Sequence, residues 1–414
     1  MHAHRLSTFL RAGLAAVLFT SAALAQVLAT GDPRPLIPPH YPLVCTVLRA
    51  QFTTAQRAAP PTTDDTARLQ GALTSCASSG KSVVLLPSGG NNAFFAGALT
   101  MNGAALVLGY GVTLFGNNYG TSQFISVTGT NAAVFGPGAI DGRGDLISGT
   151  PRLINVKHFQ NFTAAYVTLE HAAKMHLYIE SGTDVNIWGI TIATPANTKN
   201  TDGIDLDSLS DATVVASSIE DGDDGVAIKT NSGPASDITV LGNRFYGTHG
   251  MSIGSQTMYG VSNVLWSDNA VFGTDQWGNV STDNNGINIK SDYDCGGPVN
   301  QVTYRNTLLD GVKHLLIFNT YYGSCSGTAG IPVYQNIVVD GVRAIDSQSG
   351  AYSEFEGYNA ANPLELYLAN VDLDVTTQQN SQYAIVGLDN SNITPAGTGV
   401  TTFDFHLRRP PFLW

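Results

Sequence analysis

Apolar and polar residues alternate in short segments along most of the chain, and each segment begins with a polar residue. The intervals between successive starting residues are 23, 27, 26, 26, 38, 35 and 34 residues. Self-similarity at such periods is typical of repeat architectures, in which each unit buries its apolar face by stacking on its neighbours. The starting residues are Asn161, Asp184, Asp211, Asp237, Asn263, Gln301, Asn336 and Asn370.

Among repeat architectures, a parallel β-helix agrees best with this pattern. Four-stranded propeller blades need longer repeats with hairpin turns, and the chain lacks a Trp-Asp or kelch-like signature. Leucine-rich and helical repeats need other patterns. The sequence therefore predicts an all-β, single-stranded parallel β-helix, or solenoid, in which the long intervals mark coils with loop insertions.

A short helix is expected before the repeats. Residues 63–65 (Thr-Asp-Asp) are candidate N-caps, and the apolar residues Leu69 and Leu73 follow at helical spacing, so the helix should end near Cys76. A solenoid exposes its core and an unpaired strand edge at its end, and both need a cover. We expect this helix to be the N-terminal cap, with Ser82–Leu86 as the first strand.

The pattern divides the chain into three parts. Residues 1–25 have basic residues, an apolar run and a small-x-small ending, which predicts a signal peptide; an uncleaved anchor is the alternative. Residues 26–61 are rich in proline and are expected to be an extended leader, and residues 62–414 should form the β-helix domain. We therefore expect a secreted protein, extracellular or periplasmic, with no membrane-spanning segment.

Composition and charge exclude some partners. Hydrophobic residues make up 43% of the chain, charged residues only 13%, and there are 44 glycines, which favours strands over helices. The formal net charge is −12 and no run of Lys or Arg occurs, so nucleic acid is not an expected partner. An acidic protein that binds an acidic polymer must concentrate its few cations at the binding site.

Export permits disulfide bonds between the four cysteines. Three pairings are possible, and proximity in sequence favours Cys45 with Cys76 and Cys295 with Cys325. The chain has no Cys-x-x-Cys spacing, so a zinc site built on cysteine is not expected.

A shorter motif, polar-Gly-apolar-x-apolar-x followed mostly by Ser or Thr, occurs in residues 202–208, 224–230, 249–255 and 285–291. Its third and fifth positions should face the core of a strand, and its fourth and sixth positions should face solvent. Stacked coils lie about 4.8 Å apart, so equivalent positions should form columns. The expected columns are Asp202, Asp224 and His249; Asp205, Ala227, Ser252 and Asn288; and Asp207, Lys229, Gly254 and Lys290.

These columns bring three carboxylates, of Asp202, Asp223 and Asp224, to one surface with His249 and lysines. Like charges at this spacing raise at least one carboxyl pKa, and two carboxyl groups with different pKa values can act as general acid and general base. On a sugar polymer, carboxyl groups one coil apart leave room for a water molecule, which predicts inversion. The alternative is a structural ladder, because Asp, Asn and Ser also stack in β-helix turns.

Four segments resemble, in order and spacing, the signatures of the polygalacturonase family, family 28 of the glycoside hydrolases. Residues 136–144 and 251–255 add to the resemblance. It implies a right-handed β-helix that hydrolyses α-1,4-linked galacturonate of pectic polysaccharide with inversion, without a metal or other cofactor. The four segments are Asn200-Thr201-Asp202, Gly222-Asp223-Asp224, His249-Gly250 and Ile289-Lys290.

The resemblance also implies a role for individual residues. Asp223 corresponds to the general acid, Asp202 and Asp224 to the pair that activates water, and His249 to the residue that tunes the proton of the acid. Asn200 is expected to take part in binding the substrate.

Three further positions concern substrate binding. By the same resemblance, Lys290 is expected to bind a substrate carboxylate, and Tyr321 to stack on a sugar, with Tyr322 as the alternative. Asn288 stands where the family carries an arginine, so recognition on the leaving-group side is expected to differ.

Other functions remain open at this point. A rhamnogalacturonan hydrolase or an exo-acting galacturonan hydrolase would use the same fold and carboxylates. A pectate lyase would need calcium and an arginine base, and the outward columns contain no arginine. A carbohydrate-binding β-helix without activity would bind pectin but release no reducing sugar. We expect a monomer.

Overall fold

The computed structural model describes residues 31–120, 123–325 and 330–406. The expected signal peptide, residues 1–25, lies outside the described residues. Parallel strands stack coil upon coil along the chain: Ile204 pairs with Val226, Val226 with Met251, and Met251 with Ile287. The predicted right-handed parallel β-helix is confirmed.

The β-helix comprises the following strands and one α-helix. Those before residue 171 are β1 Val44–Arg49, β2 Ser82–Leu86, β3 Ala93–Ala96, β4 Leu99–Asn102, β5 Ala105–Leu108, β6 Thr113–Gly116, β7 Gln123–Phe135, β8 Ala139–Asp141, β9 Arg152–Ala165 and β10 Thr168–Glu170. The central strands are β11 Leu177–Trp188, β12 Thr191–Ala193, β13 Ile204–Asp207, β14 Ser210–Val215, β15 Ser218–Glu220, β16 Val226–Lys229, β17 Ala235–Leu241, β18 Arg244–Tyr246, β19 Met251–Ile253, β20 Val261–Ser267 and β21 Ala270–Phe272. The last are β22 Asn285–Asp292, β23 Pro298–Asp310, β24 His314–Gly323, β25 Val333–Ile345, β26 Tyr352–Glu356, β27 Leu364–Asp372, β28 Gln378–Gln382, β29 Ala384–Ser391 and β30 Thr401–Asp404; helix α1 is Thr66–Ser75, and Thr54–Gln56 is a 3₁₀ turn.

The polar residue that begins each repeat is a corner of the coil. All eight of these residues have a positive φ, from 51° at Asn370 to 63° at Asp184. Asn and Asp tolerate this left-handed conformation better than most residues, which explains why the corner is polar. Side chains at the corner also bond from coil to coil, as in Asn161 Nδ2 to Asn131 Oδ1 at 2.6 Å.

The core runs through the middle of the solenoid and is filled by the inward side chains of every coil. Trp266 and Tyr304, both 0% exposed, stack with ring centroids 5.6 Å apart, and Phe318 stacks on Phe355 at 6.1 Å. The third and fifth positions of the shorter motif are fully buried, as Ile287 and Ile289 show.

Helix α1 packs its apolar residues Leu69 and Leu73 into the same core. It contacts β3 and β4, near the N-terminal end of the solenoid where the cap was expected. The disulfide Cys45–Cys76 joins the end of this helix to β1, and Cys295–Cys325 joins the segments after β22 and β24. Both pairings favoured from the sequence are confirmed.

The proline-rich segment is more closely integrated than an extended leader. Its residues Val44–Arg49 form β1 and pair in parallel with Ser82–Leu86, which is therefore the second strand. Apolar and polar residues do not alternate strictly in β1, and prolines precede it, so the pattern gave no clear strand signal. Further upstream, Arg34 bonds to Asp32 and to Asp184, so that the segment crosses the outside of the central coils.

The described residues include no helix both long and apolar enough to cross a membrane.

Candidate active site

The four copies of the shorter motif form adjacent strands of one sheet, as expected. Asp205 pairs with Ala227, Ala227 with Ser252, and Ser252 with Asn288. This sheet includes β13, β16, β19, β22, β24 and β26. The polar residues of interest lie on its outer side or in the loops that lead into its strands.

The columns were expected to face solvent, and this was wrong. Asp205 is 0% exposed, Asn288 2%, Lys229 8% and Lys290 6%. Their side chains bond to one another across neighbouring coils, so each covers the next.

Two loops beside the sheet are also joined. Ala196 N donates to the Asp275 carboxylate at 2.8 Å, which connects the loop before β13 to the loop before β22.

Asp223 and His249 lie in hydrogen-bond contact. His249 Nδ1 is 3.1 Å from Asp223 Oδ1 and 4.0 Å from Asp224 Oδ1. Asn200 Nδ2 donates to the other oxygen of Asp223 at 3.2 Å, and the backbone N–H of Asp283 donates to His249 Nε2 at 3.3 Å. The Asp223 side chain is 19% exposed against 3% for Asp224, so Asp223 is the more accessible of the two carboxyl groups.

Asp224 is held by two donors from later coils. Lys290 Nζ lies 3.0 Å from its Oδ1, and Ser252 Oγ donates to the same oxygen at 2.6 Å. Asn288 Nδ2 in turn donates to Ser252 Oγ at 3.3 Å. Lys290 and Asn288, expected as substrate ligands, thus contact the Asp224 network in the free protein.

Asp202, one coil before Asp224, is held by a different cation. Lys229 Nζ is 2.9 Å from Asp202 Oδ2 and 2.5 Å from Asp205 Oδ1. The sequence placed Lys229 in an outward column but assigned it no function. The available signal was that Lys229 follows an acidic residue, Asp207, at the same position of the preceding coil. Two carboxylates around one buried ammonium fix the direction of the Asp202 side chain.

Burial and charge shift the protonation of these groups. Burial by itself would lower the pKa of His249, but the hydrogen bond that its Nδ1–H donates to the Asp223 carboxylate raises the pKa overall. Burial would raise the pKa of Asp223, yet His249 and Lys290 lower it. For Asp205, burial prevails and raises the pKa well above the ordinary value. Burial also raises the pKa of Asp221, which accepts a hydrogen bond from Asp223 N at 2.9 Å.

Of the two candidate tyrosines, Tyr322 lies at the site. Its ring is 5.1 Å from Lys290 Nζ, which is within reach of a cation–π contact. Tyr321 points away: its hydroxyl donates to Tyr358 O at 2.6 Å, and its ring stacks on those of Tyr293 and Tyr358. Adjacent residues of a strand face opposite ways, so only one of the two could reach the site, and the sequence did not determine which.

The donor atoms of Asp223, Asp224 and His249 lie within 4.8 Å of one another, which is close enough to share a metal ion. The ammonium of Lys290 already takes up Asp224 Oδ1, and His249 takes up Asp223. A divalent cation would be repelled by these positive groups unless it displaced them. The three side chains therefore suit proton transfer better than metal binding.

Comparison with known proteins shows the family to which the chain belongs. The model of glycosyl hydrolases family 28 matches residues 76–391. An endo-polygalacturonase of Pectobacterium carotovorum subsp. carotovorum is 33% identical over 400 residues, covering 86% of this chain and 92% of that protein. A polygalacturonase of Ralstonia solanacearum is 30% identical over 423 residues, covering 82% and 79%.

The solved structure of a polygalacturonase from Erwinia carotovora ssp. carotovora superimposes with a TM-score of 0.74 at 31% identity, over 86% of this chain and 99% of that one. A hyperthermoactive exopolygalacturonase from Thermotoga maritima shares the fold at 15% identity, with a TM-score of 0.65. The chain therefore belongs to family 28 of the glycosyl hydrolases and is a glycoside hydrolase.

Proposed function

We propose that this enzyme hydrolyses α-1,4-galacturonosidic bonds of pectin and polygalacturonate with inversion of the anomeric carbon. Asp223 donates a proton to the leaving oxygen, and Asp202 and Asp224 accept a proton from the attacking water. The observation that carries the proposal is that the three carboxyl groups have different surroundings: Asp223 is paired with His249 and partly exposed, whereas the other two are buried and held by ammonium groups.

Asp223 must carry a proton when the sugar bond breaks, although its pKa in the free enzyme is lowered. The Asp223–His249 pair holds one proton between two hydrogen-bonded groups and titrates as a unit. A bound polyanion adds negative charge beside Asp223, and this favours its protonated form. His249 therefore keeps a proton at hand until the substrate arrives.

The water-activating pair must remain ionised in a buried place. Lys229 and Lys290 each place an ammonium about 3 Å from one of the two carboxylates, which offsets the cost of burying that charge. The two groups belong to neighbouring coils about 4.8 Å apart, and a water molecule between them would lie on the far side of the sugar from Asp223.

Substrate contact is proposed for Asn200, Lys290 and Tyr322. An ammonium group has three donors, so Lys290 can keep its bond to Asp224 and still donate to a sugar carboxylate. The Tyr322 ring beside it offers a face to a sugar ring. Asn288 is proposed to act mainly through Ser252, because it is buried and bonds there.

Secretion and a monomeric state are also proposed. Two disulfide bonds favour an oxidising compartment outside the cytosol. The apolar N-terminal segment of the sequence supports export.

The proposal is tested by incubating the enzyme with polygalacturonate and, in parallel, with rhamnogalacturonan, each with and without EDTA, while measuring reducing ends and ultraviolet absorbance. We expect reducing ends to accumulate at the same rate with and without EDTA, without the absorbance of an unsaturated sugar. An unsaturated product that depends on calcium would identify a lyase instead. Release of reducing ends only from rhamnogalacturonan would identify the sister hydrolase.

A further inference from the structure

A cavity of about 330 Å³ opens beside the loops that follow β6 and β8. Its lining includes amide and apolar side chains. One charged residue, Arg143, completes it. The lining residues are Pro60, Asn117, Asn118, Tyr119, Gly120, Arg143, Leu146, Ile147 and Ser148.

Arg143 is a buried cation whose side chain has few hydrogen-bond partners among the described residues. It is 5% exposed, and its side chain makes one hydrogen bond within the described residues, from Nη1 to Gly116 O at 3.0 Å. Its Nε is buried and has no partner among them. An unpaired buried donor costs free energy that a bound acceptor would recover.

The nearby carboxylates are engaged elsewhere. Arg57 bonds to Asp141 Oδ2 at 2.5 Å and to Asp145 Oδ1 at 2.6 Å, and His171 Nδ1 lies 3.3 Å from Asp141. Burial and the neighbouring Arg57 lower the pKa of Arg143, and the carboxylates of Asp141 and Asp145, which form no ion pair with it, offset this only in part.

The cavity lies on the same corner of the β-helix as the catalytic residues. The loop that carries Arg143 leads into β9, just as the loop with Asp223 and Asp224 leads into β16. Strands β9, β11, β13 and β16 pair in succession in the same register. Arg143 is therefore three coils, about 14 Å, towards the N-terminus from the catalytic pair.

We propose that Arg143 and its cavity bind the carboxylate of a further uronic acid unit of the substrate chain, remote from the bond that is cut. This inference rests on the proposed function, because a polymer lying along the corner would pass both places. A polyuronate carries a carboxylate on every unit, so a carboxylate can reach the guanidinium at this distance. The exposed amide of Asn118 offers a partner for sugar hydroxyls, and Leu146 offers apolar surface for the ring.

The experiment compares kcat/KM on trigalacturonate and octagalacturonate. Arg143→Gln removes the charge, and Ser148→Phe fills the cavity from an exposed position. In both variants we expect the loss on the octamer to exceed the loss on the trimer by about ten-fold, the worth of a charge-assisted hydrogen bond. Arg343→Gln, which removes an exposed charge from β25, is the matched control and should change neither.

Equal losses on the trimer and octamer in the two variants would overturn the inference, as would no loss on the octamer. If Arg143→Gln fails to fold, Ser148→Phe decides alone. Failure of the wild-type enzyme to cut either oligomer would instead refute the proposed function, so the two failures are distinguishable.

Discussion

Acidic residues stack on successive coils at two corners of this β-helix, but their surroundings differ. At the structural corner, formed by Asp184, Asp211 and Asp237, each residue has a φ near 60°, and its carboxylate accepts bonds from hydroxyl, amide or guanidinium groups. At the catalytic corner, Asp202 and Asp224 are buried, and each carboxylate contacts a buried ammonium.

The difference shows that a column of acids is by itself no sign of catalysis. The side chain of Asp184 is 36% exposed, and water and salt screen its charge at little cost. The side chain of Asp202 is 4% exposed, so its charge needs Lys229. Burial together with a cation or histidine on the adjacent coil is what distinguishes the reactive corner.

The largest difference between the corners is expected when an acidic residue is neutralised at each of them in turn. Asp223→Asn should lower kcat by about 10²–10⁴-fold, because general acid catalysis is lost while the side-chain shape is kept. Asp237→Asn, the same change at the structural corner, should leave kcat within roughly threefold, as a surface substitution does. Steady-state rates on polygalacturonate measure both, and comparable losses in the two variants would erase the distinction between the corners.

Lys229→Met is expected to have the next largest effect. It leaves the carboxylates of Asp202 and Asp205 buried without their cation, which typically costs about 3–5 kcal/mol of the free energy of unfolding. Urea denaturation measures this loss.

Addition of Asp202→Asn should restore part of that stability, because the carboxylate that lost its ammonium partner is then removed. A Lys229→Met variant as stable as wild type would mean that the ammonium does not hold Asp202 in place.

A smaller effect, confined to one pH window, is expected from His249→Gln. Burial opposes both shifts, but the pairing raises the pKa of His249 and lowers that of Asp223. The contribution is lost as the pH rises through the raised pKa of His249 and as it falls through the lowered pKa of Asp223. It is complete between the unfolded values, about 3.9 for Asp and 6.5 for His.

Denaturation of His249→Gln across this range should therefore show the greatest deficit near pH 5 and a declining deficit above neutrality. His40→Gln, an exposed control, should show no such window. A deficit that is constant with pH would exclude an ion pair between Asp223 and His249.

The smallest effect belongs to the structural corner. Asp184→Asn removes one of the carboxylates that bond to Arg34, and the side chains of Arg34 and Asp184 are 34% and 36% exposed, so the cost should be about 1 kcal/mol or less. Activity should stay at the wild-type level. A large loss of activity in this variant would show that the structural corner influences the catalytic one.

Much of the fold follows from the sequence because one physical constraint repeats on every coil. A left-handed corner favours Asn or Asp, and alternating apolar residues fill the core, so the period is visible without an alignment. Strand β1 was missed because the prolines before and after it dominate the local pattern, whereas its pairing with β2 depends on the rest of the fold.

The sequence predicted which residues form the candidate site better than it predicted the contacts between them. The strand register alone predicts that Asp202, Asp224 and His249 lie together, because the strands of a β-helix stack without offset. Which donor each carboxylate takes depends on side-chain length and burial. The sequence therefore did not give the pairing of Lys290 with Asp224, nor the choice of Tyr322 over Tyr321.

The central claim is that Asp223 protonates the leaving oxygen while Asp202 and Asp224 activate water from the opposite side of the sugar. Proton NMR of the first product formed from polygalacturonate, recorded before mutarotation, tests it most directly. The account predicts a new reducing end in the β configuration, inverted from the α-linked substrate. A first product in the α configuration would require a covalent intermediate and would contradict the roles assigned to all three carboxyl groups.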